Sequence, residues 1–243
     1  MFRLSKRYHI NPLLLAIFFI CLLFFASVVF GYLVEKVKLF EYFDRSIYEF
    51  FQFTWHPAWV SSIIVPFNFN FIPIGGAQFL SFLVVIIIIS LGYIAYFRRK
   101  DFSWAVFACA LAGLFDALLV LTIPFVIFRQ RPFLSLPNSV SQVASSIWQV
   151  FPSYPSGHTR DTALFLTVLA AFLPKKIRVP FIIFVFFIAF SRVFVGAHYP
   201  TDVIAAIFIG FLMGEIVLSI VEEVKLIIEN KRKLRSKTPS SSS

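Results

Sequence analysis

INPLLLAIFFICLLFFASVVFGYLV, residues 10–34, is a run of 25 residues without a charge. A helix crosses the hydrocarbon core of a bilayer with about 20 mainly apolar residues, whereas the apolar core of a cleavable leader runs to about 7–15. The stretch is therefore expected to be a transmembrane helix and not a leader. The rest of the chain is built the same way. Hydrophobic residues make up 59% of the 243, charged residues 14%, and there are 34 Phe against 9 Gly. Mean hydropathy is +0.86. An ordinary soluble domain carries about 25% charged residues, and a chain with this balance could not cover its apolar surface in water. A water-soluble enzyme, a disordered chain and a secreted disulfide scaffold are excluded. An integral membrane protein remains.

Five further apolar runs are long enough to span: residues 77–97, 103–128 with Asp116 inside it, 157–174, 179–197 with Arg192 near its end, and 200–221. The expected fold class is all-α, a polytopic bundle of six transmembrane helices forming one domain over residues 1–235. The Ser-rich tail, 236–243, is expected to be disordered. Between the first two spans, Leu39, Phe40, Phe43, Ile47, Phe50 and Phe51 follow helical spacing, with Glu41, Asp44, Arg45 and Glu49 opposite. That pattern predicts an amphipathic helix at the outer interface, its charges turned away from the apolar face. The stretch 57–76 holds Pro66, Pro73, Gly75 and Gly76 and is expected to dip into or pack on the bundle. Cys21 and Cys109 each lie in an apolar run and read as packed thiols without metal-ligand spacing.

The net charge of +10 would point to nucleic acid in a soluble protein. Here the basic residues instead cluster between spans: Arg3, Lys6 and Arg7; Arg98, Arg99 and Lys100; Lys175, Lys176 and Arg178; and a run from Lys225 to Lys237. All four clusters fall on one side of a six-span bundle, so that side is expected to be cytoplasmic, with both termini.

The opposite face carries the chemistry. Arg131-Pro132, then Pro155-Ser156-Gly157-His158, then Ser191-Arg192 with His198 and Asp202 all come to this end of the bundle, although they are far apart in sequence. Arg131 and Arg192 present planar, forked donors suited to phosphate oxygens. Ser156 and Gly157 stand where a helix should start, and backbone N–H groups there point at an anion. Asp202, four residues after His198, can hold one imidazole nitrogen protonated and leave the other free to attack, with His158 available as a general acid. Singly, each residue has an ordinary role, such as an N-cap for Ser156 or a helix-dipole partner for Asp202. Together they make a phosphoryl-transfer site.

These three runs resemble the signature motifs of the type 2 phosphatidic acid phosphatase superfamily, which includes membrane lipid phosphatases and, more distantly, vanadium haloperoxidases. The resemblance covers roughly residues 97–221. It implies that His198 forms a phosphohistidine with Asp202 as its orienting carboxylate, and that His158 protonates the leaving group. It also implies that Arg131, Ser156, Gly157 and Arg192 hold the phosphate, with no metal or other cofactor. The family's first motif usually has a Lys seven residues before its Arg; Pro124 stands there, so Arg129 or Arg160 is expected to take its place. The expected function is hydrolysis of a lipid phosphomonoester or pyrophosphate, such as phosphatidic acid, phosphatidylglycerol phosphate or a polyprenyl pyrophosphate, on the extracytoplasmic face of the inner or plasma membrane. Its partners would be the lipid substrate and the bilayer, not nucleic acid. Two alternatives stand beside it: a lipid phosphotransferase, since these runs also resemble sphingolipid headgroup transferases, and a non-enzymatic lipid-binding relative. Asp116 is expected to bond a neighbouring helix in its neutral form or line a polar cavity, and Glu215 to be an interfacial charge.

Overall fold

The structure, a computed structural model, describes residues 12–68, 78–122, 127–135 and 152–237, and among these every regular element is helical. In chain order they are α1 (Pro12–Lys36), α2 (Lys38–Glu49), α3 (Ala58–Asn68), α4 (Gln78–Phe97), α5 (Arg99–Thr122), α6 (Gly157–Phe172), α7 (Arg178–Phe194) and α8 (Pro200–Lys237), with a single helical turn at Pro132–Ser135. Among the described residues, four helices are long and apolar enough to cross a membrane: α1, α5, α7 together with the turn before it, and α8. Six spans are expected from the sequence; helices α4, of 20 residues, and α6, of 16, lie at the positions of the other two. Pro124, the loop 136–151 and the basic cluster before residue 12 lie outside the described residues.

Pro12 and Pro200 each open a helix, where the missing N–H costs nothing and φ is already helical. α8 has 38 residues, about 57 Å at 1.5 Å per residue, nearly twice a hydrocarbon core of about 30 Å. It runs two residues past the expected domain boundary at 235, and residues 238–243 are outside the described residues.

α6 is the central helix. Ala163, Leu166 and Leu169 pack on α4 and α7, while Leu164 and Val168 pack on α5 and the other side of α8. α6 and α8 approach closely because Gly210 and Gly214, four apart, present one bare face. A Cβ at Gly210 would run into the Arg160 carbonyl oxygen and Ala163, and one at Gly214 would meet Thr167 at 2.7 Å. Small residues one turn apart are a common way for helices to meet in lipid, where no hydrophobic force favours helix over acyl chain.

Asp116, the charge inside α5, is paired with α6: Arg160 Nε donates to its Oδ1 at 2.7 Å, and Arg160 Nη2 donates to Asp161 at 2.8 Å. The bond to a neighbouring helix is seen, but as an ion pair with Arg160 and not as the neutral acid expected. Glu215 is exposed on α8.

α2 forms where its periodicity predicts, with Ile47 against the core and Glu41 and Arg45 exposed, but one of its charges is turned inward. Asp44, expected on the outward polar face, is 1% exposed, whereas Leu39 and Tyr42 are 72% and 73% exposed. In a bilayer an apolar side chain can meet lipid, so a buried position beside Tyr48 can go to Asp44, which finds polar partners in the bundle. α3 is helical through Pro66 and packs Val60 and Ile64 on Phe194, Val195 and Ala197 behind the α7–α8 turn; residues 69–77 are outside the described residues.

Candidate active site

Two turns and one helix start build the site. α7 ends at Phe194, and Gly196 then takes φ +74°, a left-handed conformation that side-chain-bearing residues rarely adopt. A Cβ there would also lie 3.2 Å from both the Tyr48 hydroxyl and Gln52 Oε1. The turn delivers His198 two residues later, 2% exposed, just ahead of α8. Opposite, Ser156 is extended (φ −64°, ψ 109°) and caps α6, whose first residues are Gly157 and His158. The Ser156 N–H reaches the Asp202 carbonyl at 3.3 Å, so the starts of α6 and α8 are joined.

The imidazole of His198 is held at both nitrogens. Nδ1 lies 2.8 Å from the Ser153 carbonyl oxygen, which can only accept, so Nδ1 carries the proton. Nε2 is therefore the acceptor, and it takes a bond from Arg131 Nη1 at 3.2 Å. The same Arg131 nitrogen donates to the Ala197 carbonyl at 3.2 Å. Burial, and next the positive charge of Arg131, push His198 down from the ordinary imidazole value to about 4. At neutral pH the ring is neutral, with its lone pair on Nε2. Burial also lowers Arg131 to about 10, which leaves it charged. Arg192 is 4% exposed. Arg192, Arg131, His198 and Arg160 are all near enough to act electrostatically on His158.

Asp202 does not hold the imidazole directly. Its Oδ2 is 3.8 Å from Nδ1, beyond a hydrogen bond. Instead Oδ2 accepts from Ser153 Oγ at 2.5 Å and from the Tyr199 N–H at 3.0 Å. Ser153 thus stands between the two, taking the imidazole proton on its carbonyl and giving its hydroxyl proton to the carboxylate. Asp202 Oδ1 accepts from Arg129 Nη1 at 2.5 Å.

The structure brings together His198, His158, Asp202, Arg131, Arg192, Ser156 and Gly157. It treats the two expected substitutes for the absent Lys differently. Arg129 is occupied by two carboxylates, Asp202 and Asp44, and its guanidinium carbon sits 4.1 Å from the Tyr199 ring centre. Arg160 is occupied by Asp116 and Asp161. Each is paired with acids in place: both are buried ion-pair arginines. Ser153 and Asp44 were missed in the sequence. Ser153 had a signal, a hydroxyl three residues before Ser156 in a Pro-flanked turn. Asp44 had none, because its partners Arg129 and Thr201 are 85 and 157 residues away.

At Gly157 no protein atom lies within 4 Å of where a Cβ would be, so packing inside the protein does not demand glycine there. The donors gathered here, two guanidinia and a helix start, can bind a tetrahedral anion, and the neutral imidazole beside them can attack it once Arg131 turns its donor from Nε2 to the anion.

The chain is similar to known proteins over parts of its length. It is 34% identical over 97 residues to an undecaprenyl-diphosphatase of Bacillus subtilis, covering 38% of this chain and 45% of that protein. It is 43% identical over 60 residues to a lipid A 1-phosphatase of Rhizobium etli, covering 25% of each. The chain thus spans less than half the length of these curated relatives. Its fold is like that of a phosphatidylglycerolphosphate phosphatase from Bacillus subtilis, with a TM-score of 0.64 and 22% identity over 84% of this chain and 96% of that one. Aquifex aeolicus LpxE is also similar, with a TM-score of 0.51 and 22% identity over 72% and 94%. The family model for the PAP2 superfamily matches residues 101–225, from the start of α5 into α8, and so takes in all three motifs. With that match over half its length, the chain belongs to the PAP2 superfamily.

Proposed function

We propose that this protein is an integral membrane lipid phosphatase that hydrolyses a lipid phosphomonoester or pyrophosphate through a phosphohistidine on His198. The observation that carries the reading is the fixed tautomer of His198. Nδ1–H is tied to Ser153, and Nε2 is aimed at the guanidinium of Arg131. The phosphate sits on Arg131, Arg192, the Ser156 hydroxyl and the backbone N–H of Gly157, beside Nε2. Nε2 attacks phosphorus, the bond to the leaving oxygen breaks, and His158 gives that oxygen a proton. A water then attacks the phosphohistidine while His158 takes its proton, and inorganic phosphate leaves. The ring becomes cationic in the intermediate, and Asp202, 3.8 Å from Nδ1, stabilises that charge. The relatives' names support a lipid substrate: a lipid diphosphate for one and lipid phosphates for the others.

The test is a panel of phosphatidic acid, phosphatidylglycerol phosphate and undecaprenyl diphosphate presented to purified protein in mixed micelles, with every product identified. Release of inorganic phosphate is expected. A new phospholipid formed without phosphate release would instead show a transferase, and no turnover on the panel would favour the non-enzymatic reading.

Six spans with both termini in the cytoplasm put the site on the extracytoplasmic face. In a background lacking Cys21 and Cys109, Val140→Cys is expected to react with an impermeant thiol reagent in intact cells, and Lys176→Cys only after lysis. The reverse pattern overturns the topology.

The pH dependence follows from His198. Only the neutral ring attacks, and its value is depressed to about 4, so the reactive form is fully present above the ordinary imidazole value and is lost as pH falls through about 4. With nitrophenyl phosphate, whose leaving group needs no proton from His158, and once substrate ionisation is allowed for, kcat/KM should stay level from pH 7 to about 5 and fall tenfold per unit below about 4. An acid limb near 6.5 would contradict the buried, arginine-flanked ring.

A further inference from the structure

α2 belongs to none of the three motifs, yet one of its side chains is bonded into the site. Asp44 Oδ1 accepts from the Thr201 N–H at 2.9 Å. Its Oδ2 accepts from Thr201 Oγ1 and from Arg129 Nη2, each at 2.5 Å. Arg129 Nη1 in turn donates to Asp202 Oδ1 and, at 2.9 Å, to Thr201 Oγ1. The Thr201 hydroxyl therefore gives its proton to Asp44 and takes one from Arg129, while Tyr199 covers the guanidinium face at 4.1 Å. One arginine is shared between two buried carboxylates, one on α2 and one on α8.

The alignment of these bonds has a direction. From Asp44 the chain of contacts passes to Arg129, to Asp202, to Ser153 and so to Nδ1 of His198. Asp202 uses both oxygens on Arg129, Ser153 and Tyr199, so its orientation is set by where Arg129 stands. Arg129 has no backbone helix to direct it, since residues 127–131 are irregular; its two carboxylates and the Tyr199 ring hold it in place. α2 itself sits against the bundle through Asp44 and Tyr48.

We propose that Asp44 is a positioning residue for the reaction: by clamping Arg129 and Thr201 it fixes Asp202 and Ser153 around His198, so that docking of the amphipathic helix α2 on the bundle sets the reactivity of the nucleophile. The inference rests on the phosphohistidine reading above. Asp44 touches neither substrate nor the reacting atoms. Removing its charge should leave phosphate binding intact or tighter, because an anion near the site is lost. The rate of attack should fall, because a displacement of about 1 Å in a reacting group costs about 100-fold.

The experiment uses the full chain in mixed micelles and the panel lipid that it turns over fastest. Single-turnover measurements follow formation of the phosphohistidine; their rate constant is independent of how much protein is active. Asp44→Asn keeps the shape and should lower that rate constant about 10- to 100-fold, with KM and competitive inhibition by inorganic phosphate unchanged or tighter. Arg129→Lys cannot span both carboxylates and should behave alike. The double variant should be no slower than the slower single one, because both changes break one chain of contacts. A rate constant within twofold of the unaltered chain in Asp44→Asn overturns the proposal. So does a double variant whose loss is the product of the two singles, or loss of inhibition by phosphate, which would mark Asp44 as a support of the fold. An unaltered chain that turns over no panel lipid overturns the phosphatase reading along with this one. An active chain with an indifferent Asp44→Asn overturns this one alone.

Discussion

His198→Ala is expected to lower kcat/KM by at least about four orders of magnitude and to leave no acid-labile phosphoenzyme. Removing the nucleophile of a covalent mechanism costs about as much as removing the whole catalytic set, and nothing else in the site offers a lone pair in the same place: Nε2 is the nitrogen beside Arg131. His158→Ala should divide substrates by their leaving group. An alkoxide needs a proton as it departs and should be released at a rate lower by about 100- to 10,000-fold. Nitrophenolate leaves unprotonated, so nitrophenyl phosphate should still load His198, and the phosphoenzyme should accumulate because water lacks its base. Rapid quench at pH 10, where phosphohistidine survives, separates the two variants. Phosphate trapped on His158 in an active protein would reverse the roles.

The second large effect falls on stability. Arg160 is 3% exposed and bonds Asp116 on α5 and Asp161 on its own helix. Arg160→Met keeps the length of the side chain but leaves two acids without their cation. Breaking a buried pair from one side typically costs about 3–5 kcal/mol, which for a chain of this size corresponds to a Tm lower by roughly 6–20 °C. Replacing all three residues, with Asp116→Leu and Asp161→Leu added, should recover most of the loss, since apolar groups of similar volume carry no stranded charge. In the single variant, protein that remains folded should turn over with a nearly normal KM. A KM raised tenfold or more with unchanged Tm would return Arg160 to the phosphate and overturn the ion-pair assignment.

Much of this protein was legible along the chain, and the reasons are physical. A helix in lipid must be about 20 apolar residues long because its backbone has no water to bond. The runs at 12–34, 77–97 and 179–197 therefore nearly coincide with α1 (Pro12–Lys36), α4 (Gln78–Phe97) and α7 (Arg178–Phe194). Pro155 and Ser156 marked the start of α6 because Pro blocks the residue before it from helix and Ser favours the cap. The three motifs were readable because each is compact: the four-residue step from His198 to Asp202 needs only one turn and the first turn of α8 to bring them near each other.

What local pattern cannot carry is the identity of a charge's partner. Periodicity placed Asp44 opposite Leu39 and Phe43, but it is silent on whether lipid or protein covers each face. In a bilayer the apolar side can turn outward, and the bundle then buried the acid on Arg129 and Thr201. The same silence made Arg129 and Arg160 look like available cations; only the packing of α2, α5 and α6 supplied the carboxylates that neutralise them. Spacing also set Asp202 beside His198, whereas the fold slipped Ser153 between them, because the turn that starts α6 passes within hydrogen-bonding reach of both. Sequence alone determined the membrane-spanning helices, the family motifs and the residues that converge. Tertiary structure decided which of those charges are spent on one another and which remain for phosphate, since a buried charge takes the nearest opposite charge and distance in space is not written in spacing along the chain.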